Sequence, residues 1–274
     1  MTLFLIFVGG MVTSTGSGLA VPDWPLSYGT LFPPMVGGVF YEHGHRMVAA
    51  LVGVLMLCLA IWLGVAEKRR WVRTLSFYAF AAVVAQGLLG GLTVLFFLPT
   101  PISVFHGVLA QTFFVLTILI AYSQSLERRS TEMQTRETDP IALRLSMLLS
   151  FFVYAQLILG ALMRHTDPGL AIPNFLLFIH LLGAVVIVVA ALCLNVACIR
   201  VYKKKSNIRG TLYLLDLLIL AQLLLGLSAV LTRQSVVITS FHVVTGAAVL
   251  GASVLLVLRA APLSLRETKR LLLN

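Results

Sequence analysis

Four of the six histidines in this 274-residue chain stand at spacings that could carry chemistry. Ala85-Gln86, Leu88-Leu89-Gly90, Val94 and Phe105-His106 recur 136 residues later as Ala221-Gln222, Leu224-Leu225-Gly226, Val230 and Phe241-His242. His45 and His180 precede the two copies by almost the same interval, 41 residues before Gln86 and 42 before Gln222. A neutral imidazole is a metal ligand and a proton carrier. Carried in one register by two halves of a chain, it reads as one site built twice. Glu42-His43-Gly44-His45-Arg46 adds acid–base chemistry, because Glu42 lies one helical turn from His45 if the helix begins early enough, with Arg46 adjacent. The second half has Leu177 and Leu181 at these places, so the halves are chemically unequal.

The elements that must position these groups are membrane helices. With 59% hydrophobic and 11% charged residues and a mean hydropathy of +0.99, the chain is no ordinary soluble domain, where the charged share is about 25%. Segments near 46–66, 75–98, 103–123, 145–163, 175–199, 211–231 and 239–258 each approach the roughly 20 apolar residues that cross a bilayer as a helix. Residues 1–12 predict an eighth span, apparently truncated, since they rise only about 18 Å against a hydrocarbon core of about 30 Å. A cleaved signal peptide is the rival reading, but residues 1–8 lack Lys and Arg and the stretch runs into Gly9-Gly10 without a small-x-small cleavage site. With alternating loops, all but Arg46, Arg164 and Arg233 of the 20 Lys and Arg residues fall on one side. The positive-inside rule then puts both termini in the cytoplasm of a chain in the inner (plasma) membrane, which requires an even number of spans. The basic loops carry no interleaved aromatics or binding motif, so no nucleic-acid partner is expected.

The expected fold is an all-α polytopic membrane protein with eight transmembrane helices in two pseudo-symmetric four-helix bundles. Gly18-Leu19-Ala20 and Pro22 match Gly169-Leu170-Ala171 and Pro173 at a shift of 151, so the first half carries extra residues in one outer loop, roughly 26–41. The polar stretch 124–140 predicts a cytoplasmic linker between a first half, 1–123, and a second half, 141–260, with a tail at 261–274. Cys58, Cys193 and Cys198 fall within predicted helices and suggest buried packing rather than disulfides. His45, His106, His180 and His242 share one depth, in the first turns of the even-numbered spans. Two such imidazoles facing one interior are what a haem iron with two axial histidines requires, and Gly53, Gly90, Gly107, Gly183, Gly226 and Gly246 could open a slot for the porphyrin. Polar ties between helices and zinc or copper transport remain open alternatives. A transport path calls for carboxylates at mid-membrane, and Asp216, the one well inside a predicted span, reads as a snorkelling or helix-start residue near a cytoplasmic end. His43 and His165 read as surface residues.

Thr15-Gly-Ser-Gly-Leu-Ala-Val-Pro-Asp-Trp-Pro25, then Glu42-x-x-His45-Arg46, then the three later histidine-bearing helices, resemble the heme A synthase family over nearly the whole chain. That resemblance implies oxidation of the C8 methyl of haem O to the formyl of haem A by successive hydroxylations and loss of water. By position it implies that His45 and His106 face the substrate haem O, that His180 and His242 bind a haem b relaying electrons, and that Glu42, with Arg46, does the chemistry. Expected partners are haem O, handed over by a haem O synthase, a membrane electron acceptor or quinone, and further copies of the chain. Three departures stand out: the first outer loop lacks the cysteine pair of some members, Thr13 stands where many have a basic residue, and the first helix is short. A di-haem electron-transfer protein would need the four histidines without Glu42, and a transporter would release its ligand across the membrane.

Overall fold

The computed structural model describes residues 1–131, 139–166, 172–202 and 206–261. Residues 132–138 of the expected linker, the Gly169-Leu170-Ala171 echo, Lys203 to Lys205 and tail residues 262–274 lie outside the described residues. Among those described there are nine helices and no strand: α1 (Thr2–Ser14), α2 (Gly38–Ala66), α3 (Arg70–Leu95), α4 (Thr100–Gln124), α5 (Leu126–Thr131), α6 (Pro140–His165), α7 (Ile172–Val201), α8 (Asn207–Leu231) and α9 (Val236–Ala260). Seven of these, α2–α4 and α6–α9, are long and apolar enough to cross a membrane. The chain is a multi-pass membrane protein. α1 is apolar but has 13 residues, about 20 Å of rise.

The helices form because their apolar runs contain few breakers, and side chains cap the charged ends. Asp139 accepts the Ala142 N–H at 2.7 Å and Pro140 takes the first position of α6, where its missing N–H costs nothing. α2 begins at Gly38, eight residues before the sequence-based span at 46. Gly37 holds φ at +54°, a turn that glycine takes without a Cβ clash, and Glu42 pairs with Arg46 inside the new turns, so their charges do not stop the helix. Large apolar side chains such as Leu51, Ile61, Phe151, Leu182 and Leu217 are exposed along the outer faces, the pattern that lipid contact permits.

Burial is concentrated in two clusters. Val52, Met56, Val72, Ala79, Phe113 and Ile120 fill the space among α2, α3 and α4, while Leu149, Leu194, Leu212, Leu215, Leu250 and Leu256 fill that among α6–α9. α1 packs on α2, α2 on α3, α3 on α4, and α4 touches α1; α6, α7, α8 and α9 close a second ring in the same way. The rings meet through α1 against α9 and through α4 against α6 and α9. Among the described residues α2 does not pack on α4, nor α7 on α9, so the two histidine-bearing helices of each half stand diagonally across their ring.

The outer turns repeat the sequence echo in backbone geometry. After α3, Phe97 and Leu98 take φ of +57° and +58°, and Leu98 N–H donates to Thr93 O at 2.7 Å. After α8, Arg233 and Gln234 take +51° and +64°, and Gln234 N–H donates to Ala229 O at 2.7 Å.

Candidate functional site: paired histidines and an outer clamp

Each of the four histidines lies with its ring edge against a glycine of the preceding helix. A Cβ built on Gly9 of α1 would sit 3.1 Å from His45 Cε1; on Gly90 of α3, 3.2 Å from His106 Cε1; on Gly160 of α6, 3.4 Å from His180 Cε1; and on Gly226 of α8, 3.0 Å from His242 Cε1. The glycines let the helix pairs close around the rings. In all four rings Nδ1 is enclosed without a hydrogen-bond partner. Main-chain carbonyls of Gln86 and Gln222 lie beside the rings of His106 and His242 without reaching hydrogen-bond geometry. Nε2 is then the nitrogen left for a ligand, and that of His242 meets the Gln222 amide nitrogen at 3.3 Å.

His180 and His242 face each other across their ring of helices, with centroids 6.4 Å apart and planes inclined by 58°. An imidazole nitrogen binds a metal at about 2.0–2.1 Å, so two rings on opposite sides of one ion have nitrogens about 4 Å apart and centres one ring radius further out on each side. The observed spacing has that room. His45 and His106 are near enough to interact electrostatically. Among the described residues no group of three or more His, Cys, Asp or Glu could hold a bare metal ion. Two imidazoles without further protein donors suit an iron whose other four positions a porphyrin fills, and fit poorly with a four-ligand zinc site.

Three glutamines tie this layer together, and of them only Gln156 lies outside the echo that pairs Gln86 with Gln222. Gln86 Nε2 donates to His106 O at 2.8 Å and Gln156 Nε2 to His180 O at 2.6 Å, while Gln222 lies against the His242 ring. Each stands four residues before its ring-cradling glycine. Applying the shift of 151 to Gly9 gives Gly160, so the signal for Gly160 was present in the sequence, whereas Gln156 maps to Leu5. The same shift maps Thr13 to Arg164, whose Nη2 donates to Gly10 O at 2.8 Å and Ser14 Oγ at 2.7 Å, joining α6 to α1.

Glu42 and Arg46 fall together, as their spacing predicts, but they face the outer loop. Glu42 is 3% exposed; its Oε2 accepts the Val21 N–H at 2.8 Å and its Oε1 accepts from Arg46 Nη2. Arg46 Nη1 donates to Asp23 O at 2.7 Å and Leu26 O at 2.9 Å, and Nη2 also reaches Val21 O at 3.3 Å. The loop so held carries a tight turn, with Tyr28 at φ +53° and Gly29 at +70° between Ser27 and Thr30, which exchange both main-chain hydrogen bonds. Asp23 accepts the N–H groups of Tyr28 and Gly29 at 2.7 and 2.8 Å. The Gly29 hydrogen bond, the largest influence, holds the Asp23 carboxyl below its ordinary value.

Expectations for His43, Asp216, Cys58 and Cys193 need correction, the two cysteines because their side chains are exposed on the outer helix faces rather than buried. His43 is not a surface residue: it is 7% exposed, and its Nδ1 meets Ser27 Oγ at 2.8 Å, because the loop folds down over it. Asp216 does not simply snorkel: its Oδ1 accepts from Asn195 Nδ2 of α7 at 2.9 Å, a partner no single-helix reading can see. His165 is half-buried, its carbonyl accepting from Thr100 Oγ1 at 2.8 Å. Cys198 is buried, whereas Cys58 and Cys193 are exposed.

Fold and site define a multi-pass helical membrane protein whose interior histidines are duplicated at one end. Residues 36–254 match the model of the COX15-CtaA family, described as cytochrome oxidase assembly protein. A heme A synthase of Alkalihalophilus pseudofirmus is 25% identical over 260 residues, 88% of this chain and 87% of its own length. One from Symbiobacterium thermophilum is 30% identical over 240 residues, 79% and 78% of the two chains, and one from Geobacillus kaustophilus 25% over 263 residues, 88% and 82%. The chain belongs to this heme A synthase family of cytochrome oxidase assembly proteins.

Proposed function

We propose that the chain oxidises the C8 methyl of haem O to the formyl of haem A, by successive hydroxylations and loss of water from the resulting geminal diol. The reading rests on one observation above all: two diagonal histidine pairs, each ring set into a glycine notch with Nδ1 enclosed, and, among the described residues, only one pair accompanied by a buried carboxylate. The architecture in this reading is two pseudo-symmetric four-helix bundles, 1–123 and 141–260, joined by a cytoplasmic linker at 124–140 and followed by a cytoplasmic tail at 261–274. Both termini lie on the cytoplasmic side of the inner membrane.

In the first half His45 and His106 would hold haem O as substrate, and in the second His180 and His242 would hold a haem b. The bound haem b supplies one-electron chemistry. The chain's own residues position and exclude. The glycine notches fix the plane of each imidazole, the enclosed Nδ1 keeps its nitrogen from competing for the ligand, and the outer loop covers the rim of the first pair. Glu42, three residues before His45, is the group placed to move a proton there, and Arg46 orients its carboxylate. A membrane quinone or other electron acceptor, a haem O synthase as donor of substrate, and further copies of the chain are the partners this reading calls for.

The test is to express the chain in membranes supplied with haem O, extract the haems and separate them by chromatography. Haem A or its hydroxylated precursor is expected with the native chain, and neither with Glu42→Ala, although haem b should stay bound. Absence of both products with the native chain overturns the proposal.

A further inference from the structure

The four histidines are not held alike. His106 and His180 are each fixed twice, by the ring against a glycine and by a glutamine amide that donates to the histidine's own carbonyl. The glutamine sits four residues before the glycine, on the same helix face. The His242 unit has the same composition, Gln222 and Gly226, with the amide at the ring. Room for the amides is built in on the facing helices: a Cβ on Gly183 would overlap Gln156, and one on Gly246 would lie 3.1 Å from Gln222 Nε2.

The His45 unit breaks this pattern at one position. Gly9 cradles the ring as closely as the other glycines do, but four residues before it stands Leu5, the counterpart of Gln156 at the shift of 151. Leu5 packs against the apolar cluster among α2–α4 and has no group to give to the His45 carbonyl. One histidine, in the half that carries Glu42, is therefore held by shape alone.

We infer that Gln86 and Gln156 are positioning residues that clamp His106 and His180, that Gln222 at the equivalent place can do the same for His242 once Nε2 is taken by a ligand, and that Leu5, which has no amide to give, leaves His45 as the releasable one. This rests on the proposal that His45 and His106 hold the substrate haem. Release at His45 gives the first half a way to admit and discharge a haem, and to open its iron to a small molecule, without disturbing the haem of the second half. The glutamines touch no haem in this account; Gln86 and Gln156 act through the histidine backbone, while Gln222 lies at the His242 ring.

Carbon monoxide tests the inference, because it binds ferrous haem only where an axial ligand lets go. The full chain is purified with its haems, reduced, and titrated with carbon monoxide while the Soret band is followed. One haem, that of the first half, should bind carbon monoxide, and the double variant His180→Ala/His242→Ala, which removes both ligands of the second-half haem, should leave that signal in place. Leu5→Gln should lower the affinity roughly twofold to tenfold, the range one added hydrogen bond supplies, while Leu5→Met leaves it unchanged. Gln156→Leu should make the second-half haem newly reactive. Unchanged carbon monoxide binding in both Leu5→Gln and Gln156→Leu, with haem content and the low-spin spectrum intact, overturns the inference and leaves the proposed function standing. Purified chain that retains no haem, or haem that survives loss of all four histidines, overturns the proposed function instead.

Discussion

Gly226→Ala puts the glycine notches to a quantitative test. The added Cβ would stand 3.0 Å from His242 Cε1, whereas two carbons rest at about 3.5–4.0 Å, so the ring must retreat by roughly 0.5–1 Å. Its partner His180 lies across a centroid distance of 6.4 Å, and a ligand pair around one iron has little slack for such a shift. Overpacking of this kind costs about 1–3 kcal/mol, or roughly 5- to 150-fold in affinity. Alanine also favours the helix by about 0.5–1 kcal/mol over glycine, so the fold should gain while the site loses. The assay is haem b per purified chain, with the low-spin spectrum as a second readout. Gly160→Ala is the internal control, because its Cβ would make an ordinary contact of 3.4 Å with His180. Equal losses in the two variants, or full haem b with an unshifted spectrum in Gly226→Ala, would refute the notch argument.

Arg46→Ala removes the donor that joins Val21, Asp23 and Leu26 to Glu42, leaving a buried carboxylate half-partnered at a cost of about 3–5 kcal/mol; the outer loop should become open to protease added from that side. Arg46→Lys should rescue this only in part, since an ammonium cannot reach the same acceptors as a planar fork. Asp23, whose carboxyl is held below its ordinary value of 3.8, contributes fully above that value, and the contribution is lost as pH falls through the depressed one. Protection from hydrogen exchange at Tyr28 and Gly29, relative to the intrinsic rate at each pH, should therefore be constant near neutrality and fall only in acid, and Asp23→Ala should remove the acid step. Arg259→Ala severs its pairing with Glu127 and its hydrogen bonds to Thr211 and Asn207; faster exchange in α5 and a lower Tm should follow, with the histidine spectra unchanged.

The spans were legible because composition alone demands them, and the four histidines because an ionisable group repeated at one depth is costly to keep without use. The contribution of α1 was harder to see. Gly9 lacks the glutamine that marks the other three notches, so no repeated pair points to it, and Gln156 has no partner in the echo because the shift of 151 pairs it with Leu5. Glu42 and Arg46 were recognisable as a pair from their spacing, but the acceptors of Arg46 are main-chain carbonyls, which leave no trace in residue types. His43 looked exposed for a related reason: its cover is Ser27, sixteen residues away on a loop whose path depends on those same carbonyls. The chemical inequality of the halves was visible in the sequence, while the unequal grip on His45 needed the helix partners.

The paired outer turns have a practical consequence for handling this protein. Four residues other than glycine take left-handed backbone angles there, at a cost of about 1–2 kcal/mol each. Phe97 and Arg233 are exposed, so their side chains return little of that cost, whereas Leu98 lies near enough to Gly18 that an added Cβ there would meet it at 3.3 Å. Phe97→Gly and Arg233→Gly relax two separate strained hinges at equivalent places in the repeat. Because the turns belong to different halves, the gains should add, giving a sturdier protein for purification with every histidine, glutamine and notch left as it is.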